Sequence, residues 1–173
     1  SGERIAEVLT EKSTLHNQEN PDYDIPDGSI TFDHVSFSYR GDKEKEVLRD
    51  VNLQIKSGET VGIIGGTGSA KSTLVNLIPR LYDVTEGTLY RGGKDVRTYD
   101  LKTLRDAVSV VLQKNVLFSG TISSNLRWGN KNATQEEIKH AADLAQASEF
   151  VERFPKKYET VIDQGGTNVS GGQ

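Results

Sequence analysis

The 173-residue sequence contains no cysteine, no methionine, four prolines and a single tryptophan. Without cysteine there is no disulfide, no thiolate zinc site and no cysteine nucleophile. That absence fits a reducing compartment. Without methionine, and opening on Ser1-Gly2-Glu3, the sequence reads as a processed product or a piece of something longer. No apolar stretch approaches the roughly 18 residues a membrane span needs, and no secretory signal is present. The longest apolar stretches, such as Ala107 to Leu112, are strand-sized, and the piece itself is expected to be soluble. Basic charge is not in excess either. The net charge of −4 argues against a general nucleic-acid binder, which carries a basic patch or stripe. What remains is 34% hydrophobic and 27% charged, with 17 glycines. This composition excludes collagen-like and wholly disordered chains, and the length suits one domain or most of one.

Ile5, Val8 and Leu9 lie at helical spacing, and the polar stretch Leu15 to Gly28, with Pro21 and Pro26, reads as a linker. From Ile30 the pattern is strand-like. Ile30 and Phe32 share one parity and Val35, Phe37 and Tyr39 the other, so a bulge or turn is expected near Asp33-His34. Val51, Leu53 and Ile55 alternate as a second strand. Thr60 to Ile64 and Val108 to Leu112 are short apolar runs, consistent with buried strands. Leu74, Leu77, Ile78 and Leu81 give a helix over Ser72 to Leu81 one apolar face. Thr88 to Tyr90 with Gly92-Gly93 suggests a hairpin, and Leu101 to Ala107 a short helix. Ala133 to Ala147 is the clearest helix. Thr134 and Glu137 form its capping box, and Ile138, Ala141, Ala142 and Ala145 its inner face.

The strongest chemical signal is Gly65-Gly66-Thr67-Gly68-Ser69-Ala70-Lys71-Ser72-Thr73, between an apolar run and a helix. Small residues let successive backbone N–H groups turn inward around a polyphosphate, and a following helix aims its positive end at the same anion. Lys71 would reach the β- and γ-phosphates, and Ser72 would offer its hydroxyl to Mg²⁺. Ala70 stands where glycine is usual. A positive φ there would strain the backbone, whereas a negative φ would cost little. Gln113 ends an apolar run, either over the nucleotide or as a plain strand-end polar residue. Tyr39 either stacks on a purine or packs at the strand end.

Taken together, these motifs resemble the nucleotide-binding domain of ATP-binding cassette (ABC) transporters. Gly65 to Thr73 is similar to Walker A, Gln113 to the Q-loop and Tyr39 to the A-loop aromatic. Val169-Ser170-Gly171-Gly172-Gln173 is similar to the ABC signature, with Val169 where Leu is commoner. Val116 to Ile122 and Thr160 to Gly166 are similar to exporter sequences, the latter to the X-loop.

The resemblance implies an α/β fold. A P-loop NTPase (RecA-like) core would carry an antiparallel β subdomain and an α-helical subdomain over roughly Lys114 to Gln173, without the family's C-terminal part. Residues 1–28 would link to a preceding transmembrane domain, and 29–173 would form a truncated nucleotide-binding domain. The core sheet would then be incomplete, leaving Thr60 to Ile64 and Val108 to Leu112 exposed.

ATP and Mg²⁺ are the implied ligands. Tyr39, Gly65 to Thr73, and Ser170, Gly171, Gly172 and Gln173 would bind nucleotide, the last four across a dimer. Lys71 and Gln113 would be catalytic, and Ser72 and Gln113 would hold Mg²⁺. The implied partners are a second nucleotide-binding domain and a transmembrane domain, on the cytoplasmic face of a membrane, with no nucleic acid. Asp163 is either near the membrane-domain contact or a solvated loop acid, Trp128 reads as packing, and Glu136-Glu137 as helix-dipole stabilisation. His16, His34 and His140 match no family motif. The 173 residues alone are expected to be inactive. Two other functions stay open: a non-transport ABC ATPase, and a degenerate nucleotide site with little turnover.

Overall fold

Alternating apolar residues build the first sheet. In a computed structural model, which describes residues 2–112, 116–170 and 172–173, Ile30–Phe37 forms β1 and Leu48–Ile55 forms β2. Glu86–Arg91 and Lys94–Asp95 form β3 and β4, and the order β2-β1-β3-β4 is antiparallel throughout. β3 and β4 are joined at Gly92-Gly93, where φ is 54° and 77°, the tight hairpin turn that two positive φ angles allow. The expected parity change in β1 is present: its register against β2 slips between Phe32 and Val35, and again before Phe37. His34 and Asp50 take left-handed backbone there. His34 Nδ1 lies 2.6 Å from Asp50 Oδ1, and the His34 N–H donates to Asn52 Oδ1 at 3.0 Å. The slip is what buries Phe32, Val35 and Phe37 on one face despite their mixed parity.

Gly2–Thr10 is α1, Lys71–Leu77 is α2 and Leu101–Asp106 is α3. Leu77 of α2 and Leu104 of α3 pack with Phe32, Val35, Phe37, Leu89, Val96 and Tyr99 into one core. Asp100 caps α3 by accepting the Thr103 N–H. The helix expected to reach Leu81 ends earlier, because the chain turns at Arg80 with φ 50°.

Two expected strands are corrected. Neither Thr60 to Ile64 nor Val108 to Leu112 forms a strand, and Ile64 and Val111 are 99% and 90% exposed. A strand needs a neighbour to take its backbone N–H and C=O groups, and neither run has one among the described residues. Both runs are largely exposed, as expected above.

The chain divides into two compact units, Ser1–Val110 and Val111–Gln173. In the second, Gly120–Thr121 (β5) pairs antiparallel with Val161–Ile162 (β6), beside Ile122–Leu126 (α4), Gln135–Leu144 (α5) and Ser148–Val151 (α6). The capping box of α5 is formed by Thr134 and Glu137 as expected. Ile138, Ala142, Val151 and Tyr158 make the core. Ala141 and Ala145, expected inside, instead line an apolar cavity of about 170 Å³ with Leu117, Ile122 and Phe150, since a ten-residue helix packed along one stripe leaves its flanks open. No described helix is long and apolar enough to cross a membrane.

Candidate nucleotide site

The glycine-rich loop closes on its own lysine. Lys71 Nζ donates to the carbonyls of Gly65 and Gly66 at 2.7 and 2.8 Å and to Ser69 Oγ at 3.0 Å. Ser69 Oγ in turn donates to the Gly66 carbonyl at 2.8 Å. A Cβ added at Gly65 would come within 2.5 Å of Ser69 Oγ and push that hydroxyl out of the network. The ammonium sits among three neutral oxygen acceptors, and phosphate oxygens carrying full charge would bind it more strongly. Beside it lies a pocket of about 280 Å³ lined by Val47 and by Gly68 through Thr73.

Ala70 has φ 59° and ψ 18° at the N-terminal boundary of α2. Of the two cases open from sequence, the strained one holds: an alanine stands in the left-handed region, at a cost of about 1–2 kcal/mol. Thr67 and Gly68 complete the turn, Gly68 with φ 81°.

Tyr39 and the loop, separate in sequence, are brought together. The Tyr39 hydroxyl lies 2.8 Å from Thr73 Oγ1, and Thr73 is buried in α2. The Tyr39 ring meets Phe37 edge to face at 4.9 Å and Tyr82 at 5.2 Å, yet Tyr39 stays 54% exposed. Tyr39 is thus at once a packed strand-end residue and an open aromatic surface. Sequence patterning does not single out Tyr82 or Val47. They reach the site from other turns of the chain, and no spacing rule links them to Tyr39.

Ser170, Gly172 and Gln173 belong to the second unit. The Ser170 N–H donates to Gln173 Oε1 at 2.9 Å, and the Gln173 N–H donates to Ser170 Oγ at 3.3 Å. Asn168 braces the approach, donating from Nδ2 to the Val161 carbonyl at 2.8 Å and accepting the Asp163 N–H at 3.1 Å. Gln113 and Gly171 lie outside the described residues.

The ABC transporter family model matches residues 48–173. The chain belongs to the ABC transporter family. Against this ABC chain, the "Putative multidrug export ATP-binding/permease protein YgaD" of Bacillus subtilis (strain 168) is 49% identical over 146 residues, 84% of the chain and 25% of the relative. The "Uncharacterized ABC transporter ATP-binding protein YfiB" of the same organism is 45% identical over all 173 residues, 30% of its own length. A solved structure of a bacterial Atm1-family ABC exporter with ATP bound superposes with a TM-score of 0.89 at 31% identity, over 99% of the chain and 30% of that protein. The chain thus spans about a quarter to a third of the length of these relatives. The α/β fold with its antiparallel sheet is that of an ABC exporter nucleotide-binding domain.

The loop fits nucleotide and cation. A Cβ at Gly65 would displace the Ser69 hydroxyl from its bonds to Gly66 and Lys71. Ser72 is exposed at the pocket, with no hydrogen-bond partner for its hydroxyl among the described residues. One hydroxyl oxygen suits Mg²⁺, which binds hard oxygens and keeps several of its waters. No cluster of three or more His, Cys, Asp or Glu suited to a metal occurs among the described residues.

Proposed function

We propose that the chain is the ATP-binding domain of an ABC exporter, which in a complete dimer hydrolyses ATP to drive a substrate across a membrane. The observation that carries this reading is the Lys71 ammonium gathered inside the glycine turn, on the helix whose Thr73 meets the exposed Tyr39. Tyr39 stacks on the base. Gly65, Gly66, Thr67, Gly68, Ser69 and Ala70 wrap the phosphates, Thr73 contacts phosphate, and Lys71 stabilises charge on the transferred γ-phosphoryl, a step that needs mostly positioning and electrostatics. Ser72 and Gln113 hold Mg²⁺, which neutralises phosphate charge when bound. Ser170, Gly171, Gly172 and Gln173 meet the γ-phosphate of a second domain's nucleotide.

Residues 1–28 join the domain 29–173 to a transmembrane domain on the cytoplasmic face of the membrane. The exposed Ile5, Val8 and Leu9 on one stripe of α1 support that, as does the permease part of the relatives' names. The 173 residues alone bind nucleotide without turning it over.

The test is Lys71→Ala in the full-length protein. ATPase activity should fall about 100-fold or more, and activity near wild type would overturn the assignment. One observation favours a second reading, a site that binds with little turnover: the strained Ala70.

A further inference from the structure

The surroundings of Tyr39 are set by an ion pair in the next turn of chain. Helix α2 ends in a Schellman closure, with the Leu81 N–H donating to the Asn76 carbonyl at 3.2 Å and the Arg80 N–H to the Leu77 carbonyl at 2.9 Å. Arg80, with φ 50°, holds the left-handed position usually taken by glycine. A larger residue stays there only where its surroundings over-determine it. Arg80 is 5% exposed. Its Nε and Nη2 donate to Asp83 Oδ1 and Oδ2 at 2.6 and 3.1 Å, and its carbonyl accepts from Arg105 Nη2 at 3.0 Å. The ion pair spans Leu81 and Tyr82, so the backbone that carries Tyr82 is clamped on both sides.

We propose that Tyr82 is a positioning residue for nucleobase recognition: it sets the plane of the Tyr39 ring on which the base stacks. The proposal rests on the nucleotide reading above. The bond from the Tyr39 hydroxyl to Thr73 fixes the far end of that side chain. It does not fix rotation about the axis running from Cβ to the hydroxyl. Phe37 lies on the same strand as the start of the Tyr39 loop, while Tyr82 comes from a different turn and meets the ring at an interplanar angle of 89°. An edge-to-face neighbour opposes that rotation, and such pairs add attraction beyond buried area. A ring held in plane loses less freedom when a base stacks on it. Phosphate binding does not depend on the plane, so the effect of Tyr82 is confined to ligands that carry a base.

The experiment compares binding of Mg-ATP and Mg-tripolyphosphate to the full-length protein by titration calorimetry, for wild type, Tyr39→Ala, Tyr82→Ala and Tyr82→Phe. Tyr82→Ala should weaken Mg-ATP about three- to tenfold and leave Mg-tripolyphosphate unchanged. Tyr82→Phe should bind both as wild type does, because the contact needs the ring and not the hydroxyl. If Tyr39→Ala selectively loses ATP while Tyr82→Ala binds it normally, the role of Tyr82 is overturned and the nucleotide reading stands. Equal weakening of both ligands in Tyr82→Ala would also overturn it, as the mark of a merely structural residue. If Tyr39→Ala changes nothing, no base stacks on Tyr39 and the role of Tyr82 is overturned while phosphate binding stands; if wild type binds neither ligand, the nucleotide reading fails and the proposal falls with it.

Discussion

Phe32 and Ile64 are both large apolar residues in strand-like runs, yet Phe32 is 2% exposed and Ile64 is 99% exposed. Phe32 sits in β1, paired on one side with Leu53 of β2 and on the other with Leu89 of β3. Its backbone groups are satisfied by two neighbours and its ring by the helices packed below. The run from Thr60 to Ile64 has similar local character but no ladder among the described residues, and Val108 to Leu112 repeats the case. An antiparallel hairpin or meander finds its partners close in sequence, whereas a parallel strand depends on partners brought from afar. Apolar patterning marks a run as able to be a strand. Long-range pairing decides whether it becomes one.

The sharpest way to break this comparison is to truncate both residues. Phe32→Ala should destabilise the chain by about 3–5 kcal/mol through a cavity in its core. Ile64→Ala should stay within about 0.5 kcal/mol, as exposed sites do. Urea midpoints would measure both, and a large loss at Ile64 would show the run to be buried after all. The same Ile64→Ala change in the full-length protein should cost about 2–5 kcal/mol if further strands cover the run there.

A smaller effect is expected at the loop that follows the exposed run. Ala70→Gly removes a left-handed alanine and gains backbone freedom in the unfolded chain, for a net stabilisation of about 0.5–1 kcal/mol. A melting temperature raised by a few degrees would agree with this, and a lowered one would mean that Ala70 is not strained.

The smallest effect belongs to the β1–β2 bulge. The hydrogen bond that His34 donates to the Asp50 carboxylate raises the His34 pKa above its ordinary 6.5 and holds Asp50 below its ordinary 3.8. A raised histidine stabilises fully below 6.5 and loses that contribution as pH climbs through its folded value. A lowered carboxylate stabilises above 3.8 and loses it as pH falls through its folded value. The pair therefore contributes fully between about pH 3.8 and 6.5. Both groups are exposed, so the contribution is slight. The difference in melting temperature between wild type and His34→Gln should be largest in that window and shrink at alkaline pH. A flat difference would discount the pair.

Much of this was legible beforehand where the cause is local. The parity change at Asp33-His34, the hairpin at Gly92-Gly93 and the Thr134–Glu137 capping box each depend on residues a few positions apart, and each is found. The glycine-rich loop was recognisable because its turn takes a positive φ at Gly68 and packs the Ser69 side chain against Gly65. The sign of φ at Ala70 was not legible, since alanine is compatible with either well until the chain on both sides is placed. Nor was Tyr82, whose relation to Tyr39 exists only after a left-handed arginine turns the chain back.

The sequence by itself determined the family, the phosphate-type loop, the helix caps and the alternating sheet, because these follow from short-range sterics, hydrogen bonding and hydrophobic period. Only the tertiary structure decided which apolar runs became strands, that Ala70 bears strain, and which rings surround Tyr39. Those outcomes depend on partners distant along the chain, and their free energy is realised only when the backbone brings them together.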